Sequence, residues 1–173
     1  MKRNIFFAFV MILMTLPVFS QKYAYIDSEY ILGNVPEYKE AQAELDRIAA
    51  LWQKEIESKF KTIDSMYKSY QVEAITLPDN LKKNREDQII AAEQDAKNLQ
   101  KRRFGKDGDL FKKREELVKP IQDKVFSAIE EYAKEKGYAF VFDVSGAMTI
   151  VYADEKFDIN DAILEKLGIT PTK

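Results

Sequence analysis

The chain has 173 residues, with 27 basic residues, 29 acidic residues and a formal net charge of −2 at pH 7. It contains no Cys and no His, so disulfides cannot stabilise it, and the commonest metal ligand and general base near neutral pH are both missing. The mild acidity gives no reason to expect a nucleic-acid partner, because binding to nucleic acid depends on basic residues that neutralise phosphates.

Residues 1–20, MKRNIFFAFVMILMTLPVFS, predict a cleaved export signal. Two basic residues precede an apolar run of about 12 residues, and Val18 and Ser20 occupy the −3 and −1 positions of a cleavage site before Gln21. A transmembrane anchor is the alternative, but a spanning helix needs roughly 20 apolar residues. Without Cys there is no lipid attachment site. We therefore predict a mature chain, residues 21–173, that lies in the periplasm without stable membrane insertion and has a net charge of about −4.

A β-prone segment opens the mature chain, and a long amphipathic helix follows it. Residues 22–27, KYAYID, alternate aromatic and aliphatic side chains, which predicts a strand. After a short helical turn, Pro36 stands at the position favoured for the first residue of a helix. Large apolar side chains then recur every three or four residues between about residue 37 and residue 75: Leu45, Ile48, Trp52, Ile56, Phe60, Ile63, Tyr67 and Tyr70. Such a narrow stripe can be buried against one partner helix but cannot build a globular core.

The residues LPDN at 77–80 interrupt this helix and predict a hairpin. Pro78 lacks a backbone N–H and disfavours helical conformation at Leu77, and Asp79 or Asn80 can cap a following helix. We therefore expect the chain to turn back at about residues 76–80. A kink in one continuous rod is the alternative, but a rod would leave the N-terminal strand roughly 150 Å from the C-terminal strands, and a lone strand is not stable.

The returning limb of the hairpin is uneven in composition. It has few large aliphatic residues next to the tip and more beyond Leu110, so we expect firmer packing near the base of the hairpin. Gly105 and Gly108 stand three residues apart, and each glycine costs a helix roughly 1 kcal/mol relative to Ala. We expect a bend or a broken turn at residues 104–110, which would act as a hinge of the arm, and a kink at Pro120.

The C-terminal segment predicts the rest of a small α+β body. Gly137 ends the helix, and residues 138–144 and 148–153 predict two strands around a Ser-Gly-Ala turn. Asp158 predicts the cap of a helix over residues 159–167, with Asp161 at the capping-box position. The strands would form a sheet of three or four strands that is apolar on both faces, with one face formed by Tyr138, Phe140, Phe142 and Val144. One short helix cannot cover both faces, so we expect an oligomer formed through the sheet.

No pattern of catalytic or metal-binding residues is present in the sequence. There is no phosphate-binding loop and no Ser/His/Asp set. Asp154, Asp158 and Asp161 could be considered as Ca²⁺ ligands, but capping and turn roles explain all three. Residues 101–103, KRR, could form a small anion patch, although a solvated face balanced by nearby acids is the better interpretation. We predict a protein that is not an enzyme and has no cofactor.

These segments together resemble the Skp/OmpH family of envelope chaperones over essentially the whole mature chain. The most specific part is GDLFKKREELVKPIQDKV leading into AKEKGYAFVFD, with KYAYIDSEYIL near the start and YADEKFDINDAILEKLG near the end. The resemblance implies a homotrimer whose strands join in a central β-barrel body, with three helical-hairpin (coiled-coil) arms around a cavity. It also implies that unfolded outer-membrane proteins are held in the periplasm without ATP. The mature chain then divides into a body, residues 21–44 and 112–173, and an arm, residues 45–111.

The charge of this chain departs from the family pattern. The best-known members are strongly basic, whereas residues 71–109 here carry eight basic and eight acidic residues. We therefore assign no site for lipopolysaccharide and expect clients, the unfolded proteins that a chaperone holds, to be bound through many weak apolar and polar contacts.

The candidate client-binding residues lie near the tip of the hairpin: Val72, Ile75, Leu77, Leu81, Ile89 and Ile90. For Tyr67 and Tyr70 we favour packing between the two helices of the arm. The alternative function is a structural coiled-coil protein or adaptor of the envelope. A spacer should be regular and stiff, so the glycine break and the thin apolar seam favour the chaperone.

Overall fold

The computed structural model describes residues 21–146 and 150–171, and the predicted export signal lies outside these residues. The described chain has an α+β fold that is mostly helical. Its elements in chain order are β1 (Lys22–Ile26), α1 (Ser28–Asn34), α2 (Pro36–Glu73), α3 (Asp79–Phe104), α4 (Asp109–Lys136), β2 (Tyr138–Asp143), a 3₁₀ turn (Glu155–Phe157) and α5 (Asn160–Lys166). Within this part of the chain, no helix combines the length and the apolar character that crossing a membrane requires.

The long helices form the predicted hairpin. Helix α2 packs against α3 in the outer half of the hairpin and against α4 in the half nearer the body. Helix α2 ends at Glu73, and α3 begins at Asp79 after a turn whose last residue is Pro78. No side chain caps α3: the backbone N–H groups of Leu81 and Lys82 donate to the Pro78 carbonyl at 2.9 and 3.0 Å. The predicted capping by Asp79 or Asn80 is therefore wrong, because the helix has already begun at Asp79.

The sheet is smaller than the sequence predicts. Strands β1 and β2 pair in parallel, since the chain leaves β1, runs through the whole hairpin and returns in the same direction. Residues 150–153 form no strand, so the predicted sheet of three or four strands is wrong for the described residues; Met148 and Thr149 lie outside them. Hydrogen bonds to Asp143 hold the end of β2 in place. The Asp143 carboxylate accepts hydrogen bonds from the Ser28 and Ser145 backbone N–H groups at 3.1 and 3.0 Å, which ties the chain back to α1.

A bulge changes which side chains of β2 face the core. Lys22 pairs with Tyr138, but the next residue, Tyr23, pairs with Phe140, so Ala139 is an extra residue in β2. Tyr138 consequently packs against the core, whereas Phe140 is 57% exposed on the other side. The predicted face that combined Tyr138 with Phe140 is therefore wrong, since strict alternation assumes a strand without a bulge.

The main core joins the two ends of the chain. It lies where β1, α1, the C-terminal half of α4 and α5 meet, and its buried members are Ala24, Ile26, Ile31, Val35, Val125, Ala128, Ile129, Ile159, Ile163 and Leu164. A second, smaller cluster of Ala41, Leu45 and Val118 continues into the base of the hairpin. Helix α4 runs through Pro120 without ending. The long arm therefore extends directly from the body core.

Helix α5 begins differently from the prediction. Its first residue is Asn160, and Ile159 precedes it without a side-chain cap. Asp158 accepts a hydrogen bond from the Asn160 backbone N–H at 2.7 Å, so it supports the first turn as expected. Asp161 accepts instead from the Tyr30 hydroxyl at 3.2 Å, which links α5 to α1 in place of a capping box. The buried Asn160 side chain completes this junction by accepting from the Asp27 backbone N–H at 2.7 Å.

We expect Asp143 to make the body sensitive to acid. Partial burial raises the pKa of this carboxyl, but hydrogen bonds from Ser28 and Ser145 outweigh burial and hold the pKa below its usual 3.8. A lowered pKa in the folded state contributes stability above pH 3.8 that is lost as the pH falls through the folded-state pKa. Asp143→Asn should cost about 1 kcal/mol at neutral pH and flatten the fall in stability below about pH 4. Urea unfolding at a series of pH values checks this, and Asp123→Asn, at an exposed position of α4, should behave as wild type.

Candidate functional site

The arm is held together by one narrow apolar seam. The buried residues of α2 within it are Leu45, Ile48, Ile56 and Ile63, which confirms the predicted stripe. Trp52 is partly buried, whereas Phe60 and Tyr67 of the same stripe are exposed. The aliphatic residues of the stripe are therefore buried, and its aromatic residues are partly or largely exposed.

The outer arm, residues 63–99, has only a small buried core of its own. Its buried cluster consists of Ile63, Ile89 and Ala96, with Met66, Tyr70 and Ala92 packed at the edges. A groove of about 240 Å³ remains between the two helices, lined by Thr62, Ser65, Met66, Ser69, Tyr70, Glu73, Arg85 and Ile89. The small polar side chains of α2 leave this space unfilled, so the outer arm is loosely packed, as its composition predicts.

Two tyrosines hold the outer arm together across the seam. The Tyr67 hydroxyl donates to Glu93 at 2.8 Å, and the Tyr70 hydroxyl donates to Glu86. In both cases the hydrogen bond to the carboxylate raises the pKa of the tyrosine. The preferred interpretation of these tyrosines as contacts between the arm helices is therefore confirmed.

Apolar side chains collect on the surface at the tip. Val72 is 76% exposed, Ile75 in the turn is 87% exposed, and Leu81 and Ile90 are 46% and 61% exposed. Leu77 is half-buried in the turn itself. These exposed aliphatic residues lie on different sides of the outer arm, since Leu81 and Ile90 are nine residues apart in α3. We call the set of Val72, Ile75, Leu81 and Ile90 the tip surface.

The return limb breaks between Phe104 and Asp109. The Gly105 N–H donates to the Lys101 carbonyl at 2.8 Å, and the Gly108 N–H donates to the Gly105 carbonyl at 2.9 Å, so the chain makes a tight irregular turn. Neither glycine has a positive φ. Steric crowding explains why both positions are glycine. A Cβ on Gly105 would lie 2.4 Å from the Lys101 carbonyl oxygen, and one on Gly108 would lie 2.7 Å from the Arg102 carbonyl oxygen. The predicted broken turn is therefore present and tightly packed.

Arg103 connects this break to the opposite helix. Its guanidinium lies 4.5 Å from the centroid of the Trp52 ring and 2.7 Å from the Asp109 carboxylate, with Glu55 at 3.7 Å. The Phe104 ring meets the edge of Trp52 at a centroid distance of 6.4 Å. At this partial exposure each ion pair contributes about 0.2–1 kcal/mol, and the cation–π contact contributes about 0.5–1 kcal/mol.

The body exposes an aromatic face on the side of the sheet away from its core. Phe140 and Phe142 stack at a centroid distance of 6.2 Å, and Tyr23 lies 5.0 Å from Phe157. A cavity of about 560 Å³ opens on this face, lined by Tyr23, Ala24, Tyr25, Phe142, Ile150, Tyr152, Ala153, Asp154, Lys156 and Phe157. The sheet therefore has an exposed apolar face, as the sequence predicts, but Tyr138 is not part of it, and the described residues leave this face open.

The acidic residues of the C-terminal loop have structural partners. Asp154 accepts from the Lys156 N–H at 3.2 Å and pairs with the Lys156 ammonium at 2.7 Å, and these contacts lower its pKa. Asp158 and Asp161 support α5 as described above. Across residues 21–146 and 150–171, no group of three or more potential ligands is placed to hold a metal ion.

Known proteins share this sequence pattern and this fold. The family model described as Outer membrane protein (OmpH-like) matches residues 22–167. The chain belongs to the OmpH-like family. A relative of this OmpH-like chain, an uncharacterized protein from Aquifex aeolicus (strain VF5), is 29% identical over 149 residues, which covers 86% of this chain and 87% of that protein. The crystal structure of a candidate outer membrane chaperone (OmpH-like) from Caulobacter crescentus CB15 has a TM-score of 0.69 at 14% identity and covers 92% of each chain. At that identity, the likeness shows a shared OmpH-like fold.

The structure separates the predicted contact residues of this OmpH-like arm into two groups. Ile89 is 3% exposed and packs within the seam, so it is not a surface residue of the folded arm, although its neighbour Ile90 is. Leu77 is partly covered in the turn. We therefore retain the four residues of the tip surface as candidates for client contact.

The sequence interpretation missed Arg103 and Trp52 as a pair. The sequence indicates a solvated face at residues 101–103, with an anion patch as the alternative, and places Trp52 in the seam. The register of the hairpin was the available signal, since both residues lie at about the same distance along the chain from the turn at residues 74–78. The aromatic ring and the basic side chain therefore meet across the two limbs of the OmpH-like arm.

Gly105→Ala is expected to destabilise the arm rather than merely stiffen a hinge. The added Cβ would crowd the Lys101 carbonyl oxygen at 2.4 Å, and backbone atoms cannot move aside without disturbing the end of α3. We expect a loss of about 1–3 kcal/mol in the free energy of unfolding. Gly33→Ala is the matched control, because Gly33 lies in α1 with no atom within 4 Å of an added Cβ; it should be neutral or slightly stabilising. Equal urea midpoints for the two variants would contradict the steric role. A hinge role for Gly105 and Gly108 stays a prediction.

Proposed function

We propose that this protein is a periplasmic holdase chaperone, which binds unfolded outer-membrane proteins and prevents their aggregation without ATP. The tip surface carries this proposal, because four exposed aliphatic side chains stand on an arm with little core of its own. Unfolded β-barrel chains expose alternating apolar residues, and a loosely packed apolar surface can adapt to many such segments. The family membership and the shared fold with a candidate outer membrane chaperone support the same assignment.

The mechanism that we propose is passive. A holdase lowers the concentration of the free unfolded client by mass action, so it needs neither a nucleotide site nor a catalytic group. We further propose that three chains assemble through the exposed aromatic face of the body, so that three arms surround one cavity. Contacts that are weak on one arm then gain affinity through multivalency, while each contact remains quick to release.

Light scattering on residues 21–173 tests this proposal directly. The mass is measured for the protein alone and again after a urea-unfolded outer-membrane β-barrel protein is diluted into it. A trimer that shifts to a soluble complex with one client chain is the expected result. If the mass of the oligomer stays unchanged and the client precipitates, the protein functions instead as a structural coiled-coil protein or adaptor. A monomer would overturn the assembly through the aromatic face.

The affinity of this chain for clients should depend only weakly on the salt concentration. Basic and acidic residues are balanced over residues 71–109, and the ion pairs of the outer arm, such as Lys68–Asp64 and Lys97–Glu93, are exposed and local. Raising the ionic strength from about 0.05 M to about 0.5 M screens such charges, so client affinity should change by less than about threefold. A titration of client binding at several salt concentrations checks this. A steep loss of affinity with salt would show that electrostatic capture dominates over apolar contact.

A further inference from the structure

One methionine packs against the small buried cluster of the outer arm. Met66, on α2, is partly buried at the edge of the cluster that Ile63, Ile89 and Ala96 form. Its side chain also lines the groove of about 240 Å³ between α2 and α3. The side chain therefore meets an apolar cluster on one side and an open groove on the other.

The chain has few other side chains that mild oxidants attack. It has no Cys, and three of its five methionines precede residue 21. Met148 lies outside the described residues, so Met66 is the only methionine in the part of the chain that the structure describes. Two-electron oxidants convert a thioether to a sulfoxide, and methionine sulfoxide reductases reverse the change.

We propose that Met66 is an oxidation site, at which hydrogen peroxide forms methionine sulfoxide and thereby destabilises the outer arm. One oxygen atom of the peroxide forms a bond to Sδ, the O–O bond breaks, and the other oxygen leaves as water. The sulfur loses two electrons and the peroxide gains them, so no further reactant is needed. The oxidation and its effect on the arm do not rest on the proposed chaperone function.

The groove gives a peroxide room to reach the sulfur. A water molecule occupies about 30 Å³ in the liquid, and hydrogen peroxide is only slightly larger, so a groove of about 240 Å³ has room for it. Ser65 and Ser69 line the groove on the same helix as Met66, and both are exposed. These short side chains leave the approach to Met66 open.

The cluster has little capacity to absorb a polar group. A sulfoxide oxygen that lies against apolar side chains without a hydrogen-bond partner costs free energy. If the oxygen turns toward the groove to reach water, the side chain gives up part of its contact with the cluster, which has only three buried members. The cluster is weakened in either case. Oxidation should therefore favour local separation of α2 and α3 beside Met66, which exposes Ile63 and Ile89.

Peroxide treatment of folded residues 21–173 tests the site. All proteins carry Met148→Leu, so that Met66 is the only thioether of this part of the chain, and Met66→Leu in the same background is the matched control. Mass spectrometry of peptides measures how fast residue 66 gains an oxygen atom. We expect a rate in the folded protein within about tenfold of the rate in urea, since the side chain is partly exposed. Stronger protection than this would show that the sulfur is inaccessible and would overturn the site.

Amide hydrogen exchange then measures the effect on the arm. Exchange over residues 60–70 and 86–96 should become about tenfold faster after oxidation, which corresponds to a free-energy change of about 1.4 kcal/mol. Exchange in α5 should stay unchanged, which excludes global unfolding. Peroxide should not alter exchange in Met66→Leu, and methionine sulfoxide reductases should restore slow exchange in the oxidised protein. Equal exchange before and after oxidation would overturn the proposal.

A polar replacement tests the same mechanism without an oxidant. Met66→Gln keeps an unbranched side chain but places an amide at the edge of the cluster. Without peroxide, its outer arm should exchange about as fast as that of the oxidised protein. Exchange as slow as in the unoxidised protein would show that polarity at this position does not destabilise the arm, which contradicts the proposed cause.

The consequence for clients rests on the proposed chaperone function. Ile63 and Ile89 become additional apolar contact residues in the oxidised arm, so the oxidised protein, freed of peroxide, should keep an unfolded β-barrel protein soluble at a lower chaperone concentration. Unchanged or weaker client binding would overturn this consequence alone. If the unoxidised protein binds no client at all, the proposed function fails, while the exchange data still decide the effect of Met66 oxidation by themselves.

Discussion

Replacing the four residues of the tip surface together with Ser should remove most client binding while leaving the arm folded. Val72, Ile75, Leu81 and Ile90 are all exposed, so truncating them creates no cavity in the seam. Each side chain that a client covers contributes on the order of 1 kcal/mol of apolar burial. Loss of all four should weaken binding by at least about a hundredfold, since every 1.4 kcal/mol corresponds to a factor of ten.

A polar control separates the apolar contacts from the effect of adding Ser to helices. Lys83, Asp87, Ala91 and Asp95 are exposed positions of α3, and replacing them with Ser should leave binding near that of wild type. Binding is measured by the amount of unfolded β-barrel protein kept soluble as the chaperone concentration rises, and circular dichroism confirms the helix content of both variants. An equal loss of client binding in the two variants would show that the stability of the arm, rather than the tip surface, determines client binding.

The sequence does not show directly which of the neighbouring residues Ile89 and Ile90 is buried against α2 and which is exposed. Two adjacent isoleucines cannot both face α2, and large aliphatic residues are too sparse in α3 to show which one does. The residues that follow Ile89 at helical spacing indicate which one is buried. These residues are Ala92, Ala96 and Leu99, and Ala96 and Leu99 are buried with Ile89. Counting Ala as a seam residue, where two helices approach closely, would have placed Ile89 inside and Ile90 outside.

The helices could be predicted well and the sheet only in part, for one physical reason. A helix satisfies its backbone hydrogen bonds locally, so periodicity and Pro78 were sufficient to predict α2, the turn and the return limb. A strand needs a partner whose register depends on distant residues. Neither the bulge at Ala139 nor the end of β2 at Asp143 can be read from alternation alone, because both depend on contacts with residues 22–28.

The sequence predicts the region of the candidate site, and the packing of the two limbs shows which contacts its residues make. The sequence indicated that apolar residues collect at the tip and that the return limb breaks at Gly105 and Gly108. It could not show that the break is crowded or that Arg103 reaches Trp52, because these features depend on how the two limbs pack. Contacts across the hairpin follow only from its register.

Leu164→Ala is expected to give the largest loss of stability of any single substitution considered for this chain. Leu164 is fully buried where α5 meets β1, α1 and α4, so its removal leaves a cavity between four elements. Buried Leu→Ala substitutions cost about 2–5 kcal/mol, which is a large part of the roughly 5–15 kcal/mol that stabilises a domain. The same core supports β2 from behind, so loss of the trimer that we propose should accompany the loss of stability.

Leu51→Ala provides the matched control, because it is the same substitution at a position of α2 that is 58% exposed. Its effect on the free energy of unfolding should stay within about 0.5 kcal/mol. Urea unfolding followed by circular dichroism measures both variants, and light scattering at the same protein concentrations reports their assembly. The cluster of Ile63, Ile89 and Ala96 is separate from the body core, so amide exchange in the outer arm should change less than exchange in α1 and α5. Uniform acceleration along the whole chain would contradict this division, since it would mean that the thin outer arm and the body core unfold as one cooperative unit.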